Sequence, residues 1–90
     1  MIVIDMKEEE EPDLLKQLAK EIANNKNKWF IIKEINDMIE TSYDKFHFMG
    51  ILAKYGILKP EYFEIIKNLE DKSLLLILRK YIREIVFSEN

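Results

Sequence analysis

The sequence predicts an all-α protein, a compact four- or five-helix domain. Three observations predict it. Apolar residues recur at three- and four-residue intervals through most of the chain. Two glycines and two prolines are the only such interruptions in 90 residues, and Lys, Glu, Ile and Leu dominate, a usage that helices tolerate. The segment Tyr55-Gly56-Ile57-Leu58-Lys59-Pro60-Glu61 ends one helix and starts the next within a few residues. A glycine just past a helix end takes the left-handed conformation that closes the last turn. A proline fits the first turn of a helix, where its missing N–H is not needed.

The chain divides into an acidic, partly irregular N-terminal extension, residues 1–11, and a single helical domain, residues 12–90. Ile2, Val3, Ile4 and Met6 could pair as a strand only with another chain, because the rest is helical. The first helix is expected from about Pro12 to Asn24, with Leu14, Leu15, Leu18, Ala19, Ile22 and Ala23 on one stripe. Asn24 to Asn27 is a run of poor helix formers and breaks it. The second helix, about Lys28 to Glu40, buries Ile31, Ile32, Ile35, Met38 and Ile39. Trp29 to Ile32 has no clear period and could be an extended lead-in. Ser42 is the expected N-cap of a third helix, about Tyr43 to Tyr55. Phe46, Met49, Leu52 and Ala53 are its expected inner face. The fourth helix, about Pro60 to Leu69, presents Tyr62, Ile65, Ile66 and Leu69. The fifth, about Leu74 to Phe87, is the most apolar, with Leu74, Leu75, Ile77, Leu78, Tyr81, Ile82, Ile85 and Val86 facing the core.

Composition narrows the function. The chain is 48% hydrophobic and 34% charged and contains no cysteine. Disulfides, thiolate metal sites and cysteine nucleophiles are thereby excluded. The start lacks a basic region and a long apolar run, so no signal peptide is expected and the reading is cytoplasmic. The longest apolar run, Leu74 to Leu78, is far short of the ~20 residues that span a bilayer. The net charge of −3 hides an asymmetry. Residues 1–13 carry −5 and the remainder +2.

Residues Trp29 to Leu58 resemble the helix–turn–helix portion of winged-helix and related regulators. The resemblance is carried by Lys33-Glu34-Ile35-Asn36-Asp37-Met38-Ile39, Glu40-Thr41-Ser42, Tyr43 to Met49 and Leu52 to Leu58. It implies that Ile35, Ile39, Phe46 and Met49 hold two helices at a steep angle. Asn36 stands where the family has a small residue, Glu40 where it has the turn glycine, and no wing follows. Leu52 to Lys67 is similar to the helical hairpins called SHOCT domains, which implies an αα-hairpin used for association.

A DNA-binding reading requires the third helix to enter the major groove. Its expected outward face is Tyr43, Asp44, His47, Gly50, Ile51 and Lys54. That face has no arginine and one lysine, whereas phosphate and base contacts rest on Lys, Arg, Asn and Gln. Lys26, Lys28, Lys33, Lys45 and Lys54 are the candidate nucleic-acid contacts in this alternative.

The fifth helix offers a different surface. Leu76 and Phe87 are eleven residues apart, so they point within about 20° of each other. Lys80 and Arg83 lie between them. Large apolar groups flanked by cations on an outward stripe mark an association surface. Tyr43, His47 and Phe48 form a second candidate patch.

Catalytic chemistry has no visible basis. His47 is the only histidine, and with Asp44 it supplies too few ligands for a metal unless a partner adds more. Ser42, Ser73 and Ser88 read as cap, turn and terminus residues. Two isolated glycines cannot build a phosphate loop. The expected function is a non-enzymatic protein-interaction module, a small accessory subunit or adaptor without cofactor. Its partner is another protein or a second copy. The alternative is a small helix–turn–helix DNA-binding regulator.

Overall fold

The stripes and breaks of the sequence become α1 (Met6–Ala23), α2 (Lys28–Glu40), α3 (Lys45–Lys54), α4 (Pro60–Lys67) and α5 (Ser73–Ser88). The computed structural model describes residues 6–41, 44–67 and 72–88, and for 6–13 the backbone alone. Met6 is helical, while Ile2, Val3 and Ile4 of the strand-like start, with Ser42 and Tyr43, lie outside the described residues. Among those residues there is no strand.

α1 starts at Met6, not near Pro12. The acidic run Glu8 to Glu11 is therefore helical in its backbone. Glutamate is a good helix former, and negative charge near an N-terminus complements the helix dipole. Pro12 falls inside the helix, where it donates no N–H to the carbonyl one turn earlier.

α1 packs against α5, α4 and α2, while α3 rests on α2 and α4. One core joins Leu15, Leu18, Ala19 and Ile22 of α1 to Ile31, Ile35 and Met38 of α2. Phe48, Ile51 and Leu52 of α3, Tyr62, Ile65 and Ile66 of α4, and Leu74, Leu75, Leu78 and Ile82 of α5 complete it. No described polar or charged residue is buried.

The α3–α4 joint forms as its sequence predicts. Gly56 has φ +75°, its N–H bonds the Ala53 carbonyl at 3.1 Å, and Ile57 N–H bonds the Leu52 carbonyl at 2.9 Å. These are the paired bonds of a Schellman cap, and the accompanying apolar contact is supplied by buried Ile57 and Leu52. α3 begins on Asp44, whose carboxylate accepts from Phe46 N–H at 3.0 Å. Asp44 thus takes the capping role expected of Ser42.

The inner face of α3 is rotated from the expected one. Phe48, Ile51 and Leu52 point inward, with Met49 and Tyr55 partly buried. Phe46 is 71% exposed and Ala53 is exposed. Both sets fit helical spacing, because α3 is apolar on nearly every side. In this rotation the Tyr55 hydroxyl donates to Glu34 Oε2 of α2 at 2.6 Å. The Ile35–Ile39–Phe46–Met49 set that carries the winged-helix resemblance is thus not wholly internal.

Candidate functional site

α2 and α5 lie antiparallel. Arg79 Nη1 donates to Asn36 Oδ1 at 3.1 Å. Toward the C-terminus of α2, Lys72 Nζ reaches the Ile39 carbonyl at 2.5 Å, a cation on the negative end of a helix. At the opposite end, Trp29 stands beside Val86 and Phe87. Between the two helices runs a groove of about 200 Å³. Ile32, Ile35, Ile82 and Val86 make it apolar, and Asn36, Arg79 and Arg83 add its polar edge.

Side-chain rotation about each axis explains the groove. On α5 the buried stripe is Leu74, Leu75, Leu78 and Ile82. Arg79, Arg83 and Val86 lie just off it, and the row Leu76, Lys80, Arg83 and Phe87 forms its outer lip. On α2, Trp29, Ile32 and Asn36 flank the core residues Ile31 and Ile35 in the same way. The groove lies between the two helices at the edge of their buried stripes.

The α5 row stands outside the core as the sequence suggests. Leu76 is 43% and Phe87 67% exposed, and Lys80 and Arg83 are exposed. Ile77, expected to face inward, is instead exposed, because it falls to one side of the Leu74–Leu75–Leu78–Ile82 stripe, about 115° from its centre. The second patch does not assemble. His47 is exposed, but Phe48 is completely buried and cannot reach a partner. Tyr43 lies outside the described residues. His47 borders a shallow polar hollow with Glu34, Asp37, Met38, Thr41 and Asp44. No three His, Asp or Glu side chains among the described residues are grouped to hold a metal.

Trp29 is the residue sequence reasoning missed. Aromatic residues at helical spacing usually enter a core, yet Trp29 is 59% exposed and Phe30 is exposed. A signal was present: Trp29 and Ile32 sit three apart, to one side of the Ile31–Ile35–Met38 stripe.

The candidate nucleic-acid cations are dispersed. Lys28 lies 5.5 Å over the Trp29 ring. Lys45 donates to the Lys67 carbonyl at 3.4 Å, and Lys54 pairs with Glu34 at 3.5 Å. Lys26 and Lys33 are exposed on the α1–α2 turn and on α2. The outward side of α3 presents Phe46, His47, Gly50, Ala53 and Lys54.

Two tyrosine–glutamate pairs tie the helices at the rim of the core. Tyr55 and Glu34 join the end of α3 to α2. The Tyr62 hydroxyl on α4 donates to Glu21 of α1, which also meets Lys59 at 3.0 Å. Burial works to raise the Glu21 pKa, but the Tyr62, Lys59 and Gln17 interactions outweigh it and hold the carboxyl below its ordinary value. Burial first, and then the bond to Glu21, push the Tyr62 phenol well above its usual range. No described helix is long and apolar enough to cross a membrane. Comparison of the chain with protein-family models, with curated proteins and with solved structures gives no match.

Proposed function

We propose that this protein is a non-enzymatic protein-interaction module, a small accessory subunit or adaptor that holds a protein partner on its α2/α5 face. The observation that carries the reading is the exposed row Leu76, Lys80, Arg83 and Phe87 running beside an apolar groove walled by Trp29. Aromatic and arginine side chains around a concave apolar centre are the usual anchors of protein interfaces. Covering what remains exposed of Leu76 and Phe87 contributes about 2–3 kcal/mol before ordering costs. That is too little for a stable complex, so the groove floor must take part.

Base reading has less support. The outward side of α3 carries one lysine and no Arg, Asn or Gln. Two of the five candidate cations, Lys45 and Lys54, already have partners within the fold.

The test is affinity capture from native lysate, with and without nuclease, using wild type and Leu76→Glu/Phe87→Glu. The variant is expected to lose a nuclease-resistant protein partner while its circular dichroism stays helical. Loss of helicity would place the two residues in the core. A partner retained unchanged by the variant, or lost on nuclease treatment, would also defeat the proposal.

A further inference from the structure

We infer that the occupant of the α2/α5 groove is an acidic amphipathic helix from a different protein, not a second copy of this chain. The inference rests on the docking reading above and specifies its partner.

Size and shape come first. At about 200 Å³ the groove is smaller than the roughly 300–1,000 Å³ of pockets that enclose small molecules. It is open along two antiparallel helices and floored by Ile32, Ile35, Ile82 and Val86. Such a trough takes apolar side chains projecting at i, i+3, i+4 and i+7 from a third helix.

Charge then selects the helix. Arg79 and Arg83 line the groove. Lys80 stands on its α5 side, and Lys33 lies one turn from Trp29 on the other. Arg79 is held by Asn36, a neutral group. No described carboxylate forms an ion pair with Arg83, Lys80 or Lys33. The α2 bank sets Glu40 on the same helical row as Lys33 and Asn36, whereas the α5 bank carries Arg79, Lys80 and Arg83, cations that no described carboxylate pairs with. A helix bearing Asp or Glu beside its apolar stripe neutralises them, whereas a basic helix is repelled.

The same charges oppose a symmetric dimer. A two-fold axis across an antiparallel pair of α5 helices sets Leu76 against the other copy's Phe87. It also sets Lys80 against Arg83 twice, which brings four cations together. Glu84 is the only acid within α5, too little to balance them. Like charges facing across an interface suppress that pairing.

The experiment uses the full chain and two fluorescein-labelled helical peptides of about 18 residues. Both carry leucine at i, i+3, i+4 and i+7; one has Glu and the other Lys at the flanking positions. Fluorescence anisotropy is read at low and high salt, with sedimentation velocity on the chain alone. The acidic peptide is expected to bind roughly tenfold or more tightly than the basic one, with the difference shrinking as salt rises. Lys80→Glu/Arg83→Glu should invert the preference, and Val86→Asp should weaken both peptides. Equal binding of the two peptides, or no binding of either, overturns the acidic-helix assignment. So does a concentration-dependent dimer, or tighter binding of a labelled DNA duplex. The two tests separate cleanly: a partner lost in Leu76→Glu/Phe87→Glu alongside equal peptide binding leaves the docking reading standing and removes only its charge specificity.

Discussion

Glu21 is a single side chain that ties helices together at the rim of the core. It receives Tyr62 from α4 and Lys59 from the α3–α4 joint, so one carboxylate fastens three segments. Its pKa is held below the ordinary glutamate value. A carboxyl depressed in the folded state adds stability that is complete above the unfolded value and is lost as pH falls through the folded one. The midpoint of urea unfolding should therefore drop as pH is lowered from about 5 toward 3. Glu21→Gln should lower stability at pH 7 and flatten that acid limb. An unchanged acid limb in Glu21→Gln would show that other carboxylates carry it. Glu34, depressed chiefly by the Tyr55 hydroxyl, contributes with the same sign and explains why flattening should be partial.

Among the helices, the joint between α3 and α4 shows what can be read before folding is seen. Gly56 and Pro60 identify it because only a few residue types satisfy its backbone. Gly56 sits at φ +75°, and nothing lies within 4 Å of where a Cβ would stand. Gly56→Ala should thus cost only the left-handed strain, about 1–2 kcal/mol, with no change in core packing. Thermal melts of the variant check the size of the loss; a neutral result would mean the cap relaxes to another geometry. The rotation of α3 was not legible in the same way. Phe46–Met49–Leu52–Ala53 and Phe48–Ile51–Leu52–Tyr55 both satisfy a 3.6-residue period. The choice between them is made by tertiary packing, which buries Phe48 and Ile51 and brings Tyr55 to Glu34, 21 residues away. The α5 row was legible because Lys80 and Arg83 mark its solvent side. The groove beside it was not, since it exists only where two helices meet. The start of α1 was misplaced for a local reason: Pro12 reads as a first-turn residue, and six residues of helix precede it.

Taken whole, the molecule has one core that draws buried side chains from all five helices. No helix buries its apolar stripe without at least one neighbour, so none is stable alone. Unfolding should accordingly be a single transition. Trp29, the sole tryptophan, reports on the α2/α5 edge, while far-UV circular dichroism reports on all helices. The two unfolding curves should superimpose in urea. An earlier fluorescence transition would mean that the α2/α5 edge opens before the rest.

The absence of any buried polar or charged residue among those described has a consequence for descent. An interior built mostly of aliphatic side chains around Phe48 and Tyr62 accepts many combinations of Leu, Ile, Val and Met at constant volume. Divergence can therefore erase its identity while leaving the helices in place. The two phenol-to-carboxylate latches are less forgiving, since each needs both halves at a fixed spot. Distant kin of this chain are better sought by Glu21 with Tyr62 and Glu34 with Tyr55 than by the hydrophobic letters between them.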